Sequence, residues 1–185
     1  MSSQVHLPND PDAALVLEAR AGNRRAFEDL VVRYQKPMYN AALRILNDRD
    51  EAKDVAQTVF LKAFENLGRY DPNQRFFSWI YRIAVNESLD VVARRKRHEA
   101  MPEDLVAERA DPAELAVQDQ MDSGVQSALM ALKVEYRTVI VLKHIMGCSY
   151  EEIGVILEVP EKTVKSRLFT ARQALREVMV SRGLI

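Results

Sequence analysis

Residues Ser149 to Arg172 read SYEEIGVILEVPEKTVKSRLFTAR. Ser149 and Glu152 stand three apart, the spacing at which a serine hydroxyl and a glutamate carboxylate satisfy the free N–H groups at a helix start. Ile153, Ile156 and Leu157 then recur on one face. Val159-Pro160 breaks the pattern, because proline lacks the N–H and clashes with the turn before it. A second helix follows, with Val164 and Leu168 on its buried side. Lys165, Ser166, Arg167, Phe169, Thr170 and Arg172 are its outward candidates. Two short helices joined by a tight turn, the second one basic, form the pattern of a helix-turn-helix that lays its second helix in the DNA major groove.

Working outward, the same periodicity continues in both directions. Leu129, Leu132, Tyr136, Val139, Ile140 and Ile145 form apolar stripes that stop at Gly147, a helix-ending residue. Residues 12–46 read as helix with a break at Gly22-Asn23, residues 49–67 as a second and residues 76–97 as a third. Between the halves, residues 98–118 carry two prolines and an acidic excess, the composition of a tether. No segment sustains the alternation of a strand. The sequence therefore predicts an all-α fold of two helical domains, residues 12–97 and 119–183, joined by an acidic linker.

Charge is distributed unevenly. The chain has a net charge of −1 over 185 residues. Residues 67–97 carry +4, residues 98–122 carry −7 and residues 161–185 carry +4. Phosphate meets local rather than total charge, so two basic segments flank an acidic one.

The first basic segment is also aromatic. Tyr70, Phe76, Phe77, Trp79 and Tyr81 place five of thirteen aromatics within twelve residues, interleaved with Arg69, Arg75 and Arg82. Aromatic faces stack on unpaired bases while arginines follow the phosphate backbone. Trp79, Ile80 and Ile83 have core spacing, so Trp79 is expected to be buried, and the loop Gly68 to Arg75 is better placed to hold an extruded base. Arg82, Asn86 and Asp90 form an i, i+4, i+8 row, which suits base contacts or plain solvent exposure. Arg94-Arg95-Lys96-Arg97 suits duplex phosphates, and equally complements a helix C-terminus. In the preceding helix Asp54, Gln57 and Leu61 share a face, with Phe60 partly joining it.

Other classes are disfavoured. The opening MSSQVHLPNDPDAA lacks the charged and apolar regions of a signal peptide. No apolar run approaches the roughly 20 residues of a bilayer span. Cys148 is the single cysteine, which excludes an internal disulfide and fits a reducing, cytoplasmic setting. Cys148 and His144 alone do not make a metal site. There is no Gly-rich phosphate loop, HExxH or GxSxG motif, so neither cofactor, metal nor enzymatic activity is expected.

Three motifs in order resemble those of the extracytoplasmic-function (ECF) sigma factors, over about residues 12–180. DVAQTVFLKAF (Asp54 to Phe64) is similar to the family's core-polymerase-binding helix, and FFSWIYRIAVNESLD (Phe76 to Asp90) to its promoter-melting segment. SYEEIGVILEVPEKTVKSRLFTAR is similar to its upstream-element helix-turn-helix. The resemblance implies a subunit that binds core RNA polymerase, directs it to promoters and helps open the DNA. It implies that Asp54, Gln57, Phe60 and Leu61 dock on the coiled-coil clamp of the polymerase's largest subunit. It assigns melting and recognition of the −10 element to Arg69, Tyr70, Arg75, Phe76, Phe77, Arg82, Asn86, Arg94 and Arg95. It assigns the −35 element to Lys165, Ser166, Arg167, Phe169, Thr170 and Arg172. Lys and Arg suit guanine edges, Ser and Thr several bases, and Phe a thymine methyl, while Arg167 and Arg172 suit phosphates as well. Thr170 stands where many members carry a basic residue, so no specific upstream sequence transfers. An inhibitory anti-sigma protein is a further implied partner. The alternative reading is a helix-turn-helix regulator that binds duplex DNA without joining the polymerase; it needs neither the Asp54 row nor the aromatic segment.

Overall fold

The structure is a computed structural model that describes residues 10–99 and 120–185. Eight α-helices and no strand occur among the described residues. They are α1 (Ala13–Arg20), α2 (Arg24–Leu46), α3 (Arg49–Asn66), α4 (Phe76–Glu99), α5 (Gln120–Met130), α6 (Val134–Ile140), α7 (Tyr150–Leu157) and α8 (Glu161–Ser181). A π-helical turn, Val141–Ile145, extends α6. The linker predicted at 98–118 lies outside the described residues apart from His98 and Glu99, which close α4.

Local chemistry sets the boundaries. The Asn23 side chain accepts from the Ala26 N–H to start α2, and Asn47 ends it in the left-handed region at φ 54°. Asp48 then accepts from the Glu51 N–H at 2.9 Å and starts α3. At α7 the capping box is complete. The Ser149 hydroxyl accepts from the Glu152 N–H at 3.1 Å, and the Ser149 N–H donates to the Glu152 carboxylate at 2.8 Å. The turn into α8 brings the Val159 carbonyl against Gly154, where a Cβ would sit 3.0 Å from that oxygen. A side chain at Gly154 would push this turn open by a few tenths of an ångström.

Leu30, Met38 and Ile45 of α2, Val55 and Val59 of α3, and Phe76, Ile80 and Ala84 of α4 form the N-terminal core. Leu129, Leu142, Ile153, Ile156, Val164 and Leu168 form the C-terminal one. The two are continuous. α7 packs along α4, and α5, α6 and the π turn pack on α2. The halves that the sequence separates by a tether thus share one core.

Candidate functional site

Three surfaces gather the residues singled out in the sequence. The first is an open groove of about 950 Å³ between α2 and α3. Gln57, Phe60 and Leu61 line it from α3, and Phe27, Val31 and Tyr39 line it from α2. Leu61 is 65% exposed and Phe64 is 53% exposed. Phe27 meets Phe64 edge-on at 5.1 Å. Arg24, Lys36 and Lys53 supply cations to the lining. Asp54 is exposed one turn before Gln57. An apolar lining with a charged rim is the form of a protein-docking surface. Phe64 lies at helical spacing from the half-buried Phe60 of α3, yet it is exposed and belongs to this surface. Its i+7 spacing from Gln57 and i+3 spacing from Leu61 were the available signal.

The second surface is α4 with the loop before it, and here the aromatics sit differently from the expectation. Phe76 is fully buried, and Tyr70 and Trp79 are buried with it. Tyr70 lies edge-on to Trp79 at 5.3 Å and to Phe76 at 5.9 Å, and Tyr34 closes the cluster on Phe76 at 5.5 Å. The Tyr70 hydroxyl donates to the Gln74 carbonyl, so the loop folds over its own tyrosine. Arg20 pins the same loop through the Gly68 and Tyr70 carbonyls. Burial, with Asp10 and Asp71 nearby, holds the Tyr70 phenol well above the ordinary tyrosine range. Tyr70 and Phe76 are thus core residues and present no ring to a base. Phe77 is half-buried against Tyr81, at 4.4 Å between ring centroids.

The arginines divide as well. Arg69 and Arg94 are exposed, as is Asn86. Arg75 pairs with Glu152, and Arg82 with Glu158 at 3.0 Å. Arg95 turns inward: it pairs with Glu51 and donates to the Leu46 carbonyl at 3.0 Å. It caps the negative end of α2, which removes it from the outward basic run.

The third surface is the outer side of α8. Val164, Leu168 and Ala171 are buried, so Lys165, Ser166, Thr170 and Arg172 face out, with Phe169 62% exposed. Arg167 is half-buried. Lys165 pairs with Glu161 at 2.6 Å, and that hydrogen bond raises its pKa, keeping it cationic. The Ser166 hydroxyl donates to the Thr163 carbonyl and the Thr170 hydroxyl to the Ser166 carbonyl, leaving both oxygens free to accept. The Arg172 Nε–H donates to His144 Nε2 at 3.2 Å. Partial burial, then the neighbouring Arg172 and Lys143, lower the His144 pKa. Lys162, exposed at the start of α8, was overlooked; the leading position of the helix was the signal, since the first residues of such a helix reach base edges. Among the described residues no group of three or more His, Cys, Asp or Glu converges as a metal site, and no helix is long and apolar enough to cross a membrane.

The family model of sigma-70 region 2 matches residues 22–98, and that of sigma-70 region 4 matches residues 124–175. The RNA polymerase sigma-H factor of Pseudomonas aeruginosa is 33% identical, over 94% of this chain and 96% of its own. The ECF RNA polymerase sigma factor SigW of Bacillus subtilis is 34% identical, over 88% of this chain and 93% of its own. Among solved structures, CnrH in complex with the cytosolic domain of CnrY superposes with a TM-score of 0.73 at 29% identity, over 93% of this chain and 99% of that one. The sigma factor RpoE of Bartonella quintana, solved with the anti-sigma factor NepR, has the same fold at a TM-score of 0.65 and 24% identity, over 83% of this chain and 96% of that one.

Proposed function

The chain belongs to the extracytoplasmic-function RNA polymerase sigma factors, and from that premise we propose how its surfaces divide the work of transcription initiation. As a sigma factor it joins core RNA polymerase and directs initiation at a class of promoters. The phosphodiester chemistry belongs to the polymerase, and the setting is cytoplasmic.

The α2/α3 groove docks the clamp of the polymerase's largest subunit. The observation that carries this reading is the exposed row of Leu61 and Phe64 in that groove. Asp54 and Gln57 add polar contacts at its edge. The outer side of α8 reads the upstream −35 duplex, with Lys165, Ser166, Phe169 and Arg172 as base or phosphate contacts. On α4 and the segment before it, Arg69, Arg75, Phe77, Arg82, Asn86 and Arg94 handle the −10 element as it opens. An anti-sigma protein is the regulatory partner, by analogy with the complex of RpoE and the anti-sigma factor NepR.

Reconstitution tests the reading: core polymerase, this chain and fragmented genomic DNA should give discrete promoter-specific transcripts that core alone does not. Within that assay, Phe77→Ala with Asn86→Ala should impair strand opening. A pre-melted bubble should restore much of the activity, because it removes an unstacking cost of a few kcal/mol. Lys165→Ala with Phe169→Ala should be rescued far less, since the bubble adds no contact to the upstream duplex. Absence of any discrete transcript, or equal rescue of both variants, would count against the division.

A further inference from the structure

We infer that His144 is a positioning residue for upstream recognition: it holds Arg172 ready on the outer side of α8 without neutralising it. The inference rests on the assignment of that side to the −35 duplex made above. It adds a residue outside α8 to those that set upstream specificity, and it makes that specificity sensitive to pH.

The π turn places His144. Arg137 through Leu142 are buried without a break, and Lys143 and the exposed His144 are the first polar side chains to emerge beyond them. The Met146 N–H closes the turn on the Val141 carbonyl at 3.0 Å, five residues back, the wide spacing that re-aims side chains within a helix. Lys143 lies over the Tyr150 ring at 4.7 Å, and Lys165 of α8 lies over the same ring at 5.6 Å. His144 meets Arg172 directly. Lys165, Phe169 and Arg172 stand at i, i+4 and i+7 of α8 and form one exposed stripe. The π turn therefore holds both ends of the stripe and leaves Phe169 open between them.

The contact spares the atoms that read DNA. Arg172 donates its Nε–H to His144 Nε2 at 3.2 Å. Its two terminal nitrogens, the pair that meets guanine or phosphate in bidentate fashion, are not consumed. Lys165 and Arg82 pair with Glu161 and Glu158, whereas Arg172 has no carboxylate among the described ion pairs. A carboxylate would offset the charge that draws phosphate. A neutral imidazole orients the guanidinium and leaves that charge whole. An arginine gives up rotamer freedom when it meets a base, and one already held gives up less.

Only the neutral ring can act in this way, because Nε2 accepts when the proton sits on Nδ1. The surroundings keep the ring neutral. Partial burial, then Arg172 and Lys143, lower the His144 pKa. Arg176 of α8 lines the same cavity as a third cation, while α5 brings the uncharged Val125 and Leu129 and the last residue brings the Ile185 side chain. The hydrogen bond is thus present above this lowered pKa and is lost as the pH falls through it. Protonation then opposes two cations and releases Arg172. The added charge attracts phosphate of any sequence, so the loss is read in the preference between sequences rather than in affinity alone.

The test uses holoenzyme reconstituted from core polymerase and the full-length chain. The probes are a promoter fragment recovered in the reconstitution above and the same fragment with its upstream element scrambled. The readout is the ratio of the two affinities between about pH 7.5 and about pH 5.5, where an imidazole titrates. In wild type the ratio should fall about threefold across this range, the scale of one hydrogen bond. His144→Ala should lower the ratio by about the same factor at the upper pH and show a flat profile. His144→Gln supplies an amide carbonyl that accepts from Arg172 at every pH, so it should keep the high ratio and flatten the profile. Helical circular dichroism should be unchanged in both, since His144 is exposed. A His144→Ala ratio equal to wild type, beside a reduced ratio for Arg172→Ala, would overturn the positioning role and leave the assignment of α8 standing. A wild-type ratio near one, or an Arg172→Ala ratio equal to wild type, would overturn the upstream assignment and the positioning role with it. The same pH profile in wild type and His144→Gln would put the titrating group elsewhere and overturn the role of His144.

Discussion

α3 and α4 are neighbouring helices with similar apolar stripes in sequence and opposite fates in the fold. α3 buries Val55, Val59 and Ala63 and leaves Leu61 and Phe64 to solvent. α4 draws Phe76, Trp79, Ile80 and Tyr81 inward and shows mainly polar residues such as Asn86 and Arg94. The difference comes from what lies above each helix. α4 is packed by α2, α3 and α7, whereas the outer side of α3 faces only the open groove beside α2. Apolar side chains left uncovered by a fold that covers their equivalents one helix later mark the place for another protein.

The sharpest way to break this comparison is to truncate one ring on each helix. Phe76→Ala removes a fully buried ring from a four-membered aromatic cluster and should cost about 3–5 kcal/mol in urea unfolding. Phe64→Ala should cost no more than about 1 kcal/mol, since it loses chiefly one edge contact with Phe27. Similar losses would mean that α3 is as much core as α4.

Next in size is the polar edge of the groove. Asp54→Ala with Gln57→Ala should weaken association with core polymerase about tenfold, a loss of roughly 1–2 kcal/mol. The helical circular-dichroism signal should stay intact. Unchanged affinity would confine docking to the apolar row.

A smaller contrast concerns two basic residues. Lys165→Ala should lower the magnitude of the salt slope of upstream duplex binding by about 0.9, the share of one phosphate contact. Arg95→Ala should leave that slope unchanged and reduce thermal stability instead, because its guanidinium serves Glu51 and the Leu46 carbonyl. A change of slope for Arg95→Ala would return it to the DNA-binding set. The least disruptive test is limited proteolysis. Cleavage is expected first within 98–118, the acidic stretch without an apolar face. Because α4 and α7 pack together, the two fragments should then co-elute on gel filtration. Early cleavage within residues 50–64 would contradict the domain boundary.

The sequence carried the elements well because their ends are chemically marked. Asn23, Asp48, Ser149 and Pro160 each stand at a helix start, and the spacing of Ser149 and Glu152 foretold a capping box that is complete in the structure. Faces were harder to read. Periodicity reveals that Phe64 and Phe76 belong to apolar stripes, but not which stripe another helix will cover. The loop before α4 reads as open and polar, yet it folds over Tyr70 through the Gln74 carbonyl. Cross-half contacts left no local mark at all. Arg137 looks like any helical arginine, and its role appears only when the end of α2, far away in sequence, is brought beside it.

Docking through the α2/α3 groove is tested most directly by titrating labelled protein with core RNA polymerase, comparing wild type with Leu61→Asp combined with Phe64→Ser. Both side chains are exposed, so unfolding stability should be nearly unchanged. Affinity for the core enzyme should fall at least thirtyfold, the scale of about 2 kcal/mol or more lost at the centre of an interface. Equal affinity of the two proteins for core polymerase would contradict the assignment.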